Sequence, residues 1–142
     1  MAFKIRLAVA ATLLSFMWGG TAEAKTETRS CPQFEEAFRK HGLVPVEVFS
    51  QIAYRESRCR IKAINATWDE NGNLTYHLNK NKTWDSGLLQ INSGHRERVK
   101  KVCKADLPAL LTLDCNLKVA KSLLDNGGLA HWAWSAPTTT IP

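Results

Sequence analysis

The sequence predicts a small α+β domain, mostly helical, with a β-hairpin insertion near its middle. Three observations lead there. Apolar residues recur at helical spacing before residue 61 and after residue 92, with that spacing lost in between. The intervening stretch holds an Asn-Gly turn signal, Asn71-Gly72, between short alternating segments. Finally, 142 residues with 44% apolar and 23% charged side chains suit one globular domain, not a disordered or fibrous chain.

Residues 1–24 are read as a secretory signal peptide. Lys4 and Arg6 begin it, and an apolar run over 7–18 follows. The run is shorter than the ~20 residues that span a bilayer. Gly19-Gly20 breaks it, and Ala22-Glu23-Ala24 has the small-x-small form of a cleavage site. Cleavage after Ala24 leaves a domain over 25–136 and a loose tail over 137–142, in the periplasm or outside the cell, with no membrane insertion.

Within the domain, Ser30 with Gln33 reads as a capping box opening a helix over 31–40. Gly42 stands where a C-terminal glycine belongs. A second helix starts near Pro45 and shows Val48, Phe49, Ile52 and Ala53 on one face. The segment Thr67-Trp68-Asp69-Glu70, the turn Asn71-Gly72 and the segment Asn73-Leu74-Thr75-Tyr76-His77 form a hairpin. Polar residues 79–82 make a second turn and Thr83-Trp84 a short third strand. Gly87-Leu88-Leu89-Gln90-Ile91 is compact and apolar, so it is expected inside. Helices resume over 95–103 and 107–111. Asp114 is expected to cap a longer helix striped by Leu117, Ala120, Leu123 and Leu124 and ended by Asn126-Gly127-Gly128.

Cys31, Cys59, Cys103 and Cys115 all follow the leader. An even count in an exported chain reads as two disulfides, for which sequence allows three pairings. No Cys-x-x-Cys occurs, and His41, His77, His95 and His131 are scattered. No metal site and no cofactor are therefore expected.

Glu56 is the first candidate for chemistry. Ile52 and Phe49 lie on its face of the helix. Desolvation there, and the negative end of the helix, both disfavour the charged form. Those are the conditions for a carboxylic acid that protonates a leaving oxygen near neutral pH. The alternative is a boundary glutamate paired with Arg55, Arg58 or Arg60. Asp85 is the candidate second carboxylate, because two carboxyl groups in different environments can divide acid and nucleophile roles. An ordinary turn aspartate is the alternative. Trp84 and Tyr76 flank the hairpin and could stack on sugar rings, although core packing is the usual fate of such rings. Arg96, Arg98, Lys100, Lys101 and Lys104 make a basic stretch that an acidic wall polymer would attract. A nucleic-acid partner is not expected of an exported, disulfide-bonded chain.

Tyr54-Arg55-Glu56-Ser57-Arg58 resembles the Glu-Ser motif of lytic transglycosylases of the soluble, goose-lysozyme-like kind (glycoside hydrolase family 23-type). Gly87-Leu88-Leu89-Gln90-Ile91-Asn92 resembles their Gly-Leu-x-Gln-Ile motif, and Asp114-Cys115-Asn116-Leu117 their later helix. The segment from Trp84 to Ser93 also resembles C-type lysozymes, in which an aspartate stands two residues before the glycine. The resemblance covers about 31–134 and implies a lysozyme-like fold.

It implies cleavage of the MurNAc-β-1,4-GlcNAc bond in the glycan strands of peptidoglycan, leaving 1,6-anhydroMurNAc. Glu56 would be the single acid/base. Ser57, Gln90, Gly87 and Leu88, with Tyr76 and Trp84, would line the sugar site. The family's late Ala-Tyr-Asn-Ala-Gly segment corresponds here to His131-Trp132-Ala133-Trp134, so Tyr76 or a tryptophan would have to orient Glu56. The family pattern also implies a Cys31–Cys115 bridge and, by subtraction, Cys59–Cys103. It implies a monomer, open to recruitment by an envelope-spanning machine. Two rivals stand beside this expectation. One is a hydrolytic muramidase using Glu56 with Asp85, and the other a non-catalytic peptidoglycan-binding module.

Overall fold

The computed structural model describes residues 29–68, 70, 71, 74–76 and 78–134, with the backbone alone described at 66–68 and 74–76. The leader, the tail, Asp69, Gly72, Asn73 and His77 lie outside the described residues. The chain is mostly helical with small antiparallel β elements and two disulfides, an α+β arrangement. Among the described residues no helix is long and apolar enough to cross a membrane.

A 3-10 turn, Pro32–Phe34, leads into α1, Glu35–Lys40. Cys31, not Ser30, is the residue that precedes the turn, and no side chain caps it. The proline at the first position fixes the turn without needing that cap. Gly42 closes α1 at φ 69°, a left-handed conformation suited to glycine. Helix α2, Val46–Ser57, buries Phe49, Ile52 and Ala53 as the spacing requires, whereas Val48 is half-buried against the core and Val46, outside the expected face, is buried in the first turn. It stops at Arg58 and Cys59, both at positive φ, which turn the chain sharply away.

Strands β1, Ala66–Trp68, and β2, Leu74–Tyr76, pair with Ala66 opposite Tyr76 and Trp68 opposite Leu74. A two-residue Asn71-Gly72 loop would instead set Glu70 opposite Asn73. The register is centred on Asn71, so the hairpin has a longer, odd-numbered loop. The later strand is Asp85–Ser86 (β3), not Thr83-Trp84, and it pairs with Ile91–Asn92 (β4). The tight connection between β3 and β4 is the apolar Gly87–Gln90 segment, and Gly87, Leu88 and Leu89 are buried.

Helix α3, Arg96–Cys103, the turn Leu107–Leu111 and helix α4, Leu113–Gly127, complete the frame, followed by the turn Gly128–Trp132. Thr112 caps α4 by accepting the Cys115 N–H. Asp114 sits in the first turn instead and holds Lys118 at 2.6 Å and His41 at 3.2 Å. Those partners keep its carboxyl below the ordinary range. The core draws Phe38, Phe49 and Ile52 from the first two helices, Leu88 and Leu89 from the connection, and Leu117, Leu123 and Trp132 from the last third.

The disulfides are Cys31–Cys59 and Cys103–Cys115, which corrects the implied pairs Cys31–Cys115 and Cys59–Cys103. The reason lies in what holds each cysteine. The Cys31 amide donates to both Ser50 oxygens, so Cys31 lies on α2, whose end delivers Cys59. Cys103 ends α3, Cys115 begins α4, and these helices pack together. Closing such loops stabilises by roughly 3–4 kcal/mol each in the chain-entropy picture.

Candidate active site

Glu56 sits in the last turn of α2 with its side chain 27% exposed. Desolvation is therefore partial. Its Oε1 accepts two hydrogen bonds from Arg55, at 2.9 Å from Nε and 2.6 Å from the terminal nitrogen. This is the arginine pairing that the boundary alternative foresaw. Among the described residues no donor sits on Oε2. Arg55 does more than pair. The same terminal nitrogen donates to the Trp132 carbonyl, and the guanidinium lies 5.7 Å from the Trp134 ring centroid. The Trp132–Trp134 segment thus reaches Glu56 through an arginine.

Trp132 is the link to the second motif. It is buried, packs edge-on against Phe49 at 5.4 Å, and donates its indole N–H to the Leu89 carbonyl at 3.0 Å. One residue therefore ties the Gly87–Gln90 connection to α2 and to the partner of Glu56.

The other expected sugar-site residues are largely committed to the scaffold. Ser57 is fully buried. Its hydroxyl donates to the Ala53 carbonyl at 3.0 Å and accepts the Arg60 N–H at 3.2 Å, so it fastens the helix end behind Glu56. Leu88 is fully buried in the core. Gln90 donates its amide to the Ala63 and Gly87 carbonyls at 3.1 and 2.8 Å. Gly87 stands at φ 81°, and a Cβ there would meet the Asn116 amide at 2.1 Å and the Leu110 carbonyl at 2.2 Å. Its smallness serves packing against α4 and the turn before it. The Tyr76 backbone lies on β2 and its side chain is outside what is described. Trp84 is half-buried and lines a pocket of about 160 Å³ with Ile64, Ser86, Leu107, Pro108 and Leu111.

Asp85 is clamped. Asn92 donates to Oδ1 at 2.8 Å and Asn79 to Oδ2 at 3.0 Å. Asn65 bonds its backbone at both N and O. The same two amides also reach Thr83, so the carboxylate is the centre of a hairpin-bracing network.

Sequence reasoning passed over Asn116. It is fully buried on α4 and satisfies three backbone groups: the Ser86 and Leu110 carbonyls and the Leu89 N–H. The available signal was an amide one turn before Ala120, inside an apolar stripe. Asn79 and Asn92 were missed as partners of Asp85. Among the described residues no three His, Cys, Asp or Glu side chains converge as metal ligands would.

The basic stretch divides. Arg96 pairs with Asp106 at 2.5 Å and Lys100 with Glu97 at 2.9 Å, whereas Arg98 bonds Ser122. No family model matches the chain, and no curated protein sequence matches it.

Proposed function

We propose that the protein is an exported peptidoglycan lytic transglycosylase with a lysozyme-like fold, in which Glu56 is the single general acid/base. The contrast between its two carboxylates supports this most. Glu56 projects from a helix end with one oxygen uncontacted among the described residues, whereas both oxygens of Asp85 already serve the hairpin. Two disulfides and the 1–24 leader support export.

In this reading glycan docking displaces Arg55 from Oε1. Protonated Glu56 then donates to the glycosidic oxygen as the C1–O bond breaks, releasing the GlcNAc 4-hydroxyl. The resulting carboxylate takes the proton of the muramic C6 hydroxyl as O6 bonds to C1. No water is consumed, and Glu56 ends as it began, protonated. Purified peptidoglycan incubated with the protein should release soluble muropeptides. Glu56→Gln should lower that release about 10³-fold. Equal release by the variant would overturn the assignment, and binding without release by the wild type would favour a wall-binding module.

The muramidase reading keeps one observation on its side. Asp85 is held at a fixed orientation two residues before Gly87. A fixed carboxylate could face developing positive charge at C1, with water completing the reaction.

A further inference from the structure

A groove of about 420 Å³ lies between α3 and α4, lined by Glu97, Arg98, Lys101, Val102, Ser122 and Asn126. Its charge is unbalanced. The Glu97 carboxylate is engaged by Lys100, which does not line the groove. Lys101 is exposed and has no ion-pair partner among the described residues. Arg98 is half-buried and meets no carboxylate among them. One of its terminal nitrogens donates to the Ser122 carbonyl at 3.2 Å and hydroxyl at 2.7 Å. That anchor fixes the guanidinium and leaves its Nε and other terminal nitrogen without protein acceptors among the described residues. A pre-oriented guanidinium beside an ammonium is the chemistry that takes a carboxylate.

The groove is joined to the candidate acid by a short run of chain. Asn126 on its lip donates to the Ser122 carbonyl at 2.6 Å. The turn Gly128–Trp132 follows, and its last carbonyl holds Arg55, the partner of Glu56. On the α3 side, His95 precedes Arg98 by one turn and lies 6.1 Å, ring to ring, from His131 of the same connecting turn. The volume falls at the small end of ligand pockets, which run from ~300 to 1,000 Å³. It suits a short acidic peptide better than a polymer strand.

We propose that the α3–α4 groove is a carboxylate-binding subsite for the acidic peptide stems carried by the glycan, with Arg98 and Lys101 supplying the charge. The proposal rests on the reading of the protein as a peptidoglycan-cleaving enzyme, and two separate measurements keep the two claims apart.

The first is direct binding of the free stem tetrapeptide, L-Ala-D-Glu-diaminopimelate-D-Ala, followed by NMR shifts of the Arg98 Nε–H and the α3 amides. Saturable shifts should appear with the acidic peptide. They should weaken about tenfold or more with its carboxyl-amidated form, and equally in Lys101→Gln and Arg98→Gln. Lys101 is exposed, so its variant keeps the fold even if loss of the Ser122 anchor disturbs Arg98→Gln. Shifts no weaker with the amidated peptide or in Lys101→Gln, or no shifts at all, would overturn the subsite whether or not the protein cleaves glycan.

The second compares cleavage of stem-bearing glycan with glycan stripped of stems by an amidase. Lys101→Gln should lose about tenfold in kcat/KM on the first and nothing on the second. An equal loss on both would also overturn the proposal, because it would show a structural effect.

Discussion

The ends of α2 and β3 each present a carboxylate, and the two are built differently. Glu56 leans on one neighbouring arginine through one oxygen, at a half-exposed helix end. Asp85 gives each oxygen to a separate amide and braces a hairpin. An acid that must shed and regain a proton needs an oxygen the substrate can reach. A carboxylate that organises a turn needs the opposite. Arg55 suits the first arrangement under the proposed mechanism, because its other contacts, the Trp132 carbonyl and the Trp134 ring, would hold it in place once glycan displaced it from Oε1.

The largest effect should come from Glu56→Gln, a roughly 10³-fold loss of muropeptide release with unfolding temperature nearly unchanged. An exposed ion pair contributes only about 0–1 kcal/mol to stability. Gly87→Ala should act through the fold. Its Cβ would lie 2.1 Å from the Asn116 amide at positive φ, and denaturant melts should show a loss of at least about 3 kcal/mol. Removing the Cys31–Cys59 bridge as a double alanine variant should cost about 3 kcal/mol. It should lower activity through the Glu56 end of α2 while leaving the Asp85 hairpin amides protected from hydrogen exchange.

Asp85→Asn separates the two carboxylates directly. It sets an amide against the Asn79 and Asn92 amides, and melts should show a loss of about 1–3 kcal/mol. Activity should stay within about tenfold of wild type, since no proton is routed through it.

The smallest effect concerns pH. Burial, with the charges of His131 and Arg98, holds His95 below its ordinary value of 6.5, and Asp85 opposes this. A histidine lowered by folding favours the native state while neutral. Its contribution is therefore complete above about pH 6.5 and is lost as pH falls through the lowered value. NMR titration should place His95 on the acid side of 6.5 and further still in Asp85→Asn. A shift toward higher pH in that variant would show that the two groups do not face one another.

What the sequence makes legible is local periodicity. Phe49, Ile52 and Glu56 fall on one helical face because that spacing is fixed by the backbone, and Gly87, Leu88, Leu89 and Ile91 are buried as the composition of their stretch requires. What it conceals is direction and partnership. Ser57 and Gln90 can be placed in a helix end and a tight connection, but which way each side chain turns depends on the carbonyls those two elements leave open. Asn79 and Asn92 become partners of Asp85 only after the chain doubles back. Asn116 looks like an interruption of a stripe until the Ser86, Leu89 and Leu110 backbone groups arrive around it. The disulfides escape for the same reason, since pairing follows which helices pack.

The most direct test of a single working carboxylate is mass spectrometry of the muropeptide ends released by wild type and by Asp85→Asn. Both should yield fragments ending in 1,6-anhydroMurNAc, lighter than hydrolytic products by one water, at comparable rates. Reducing ends from the wild type, lost in Asp85→Asn, would contradict the account and place Asp85 in the reaction beside Glu56.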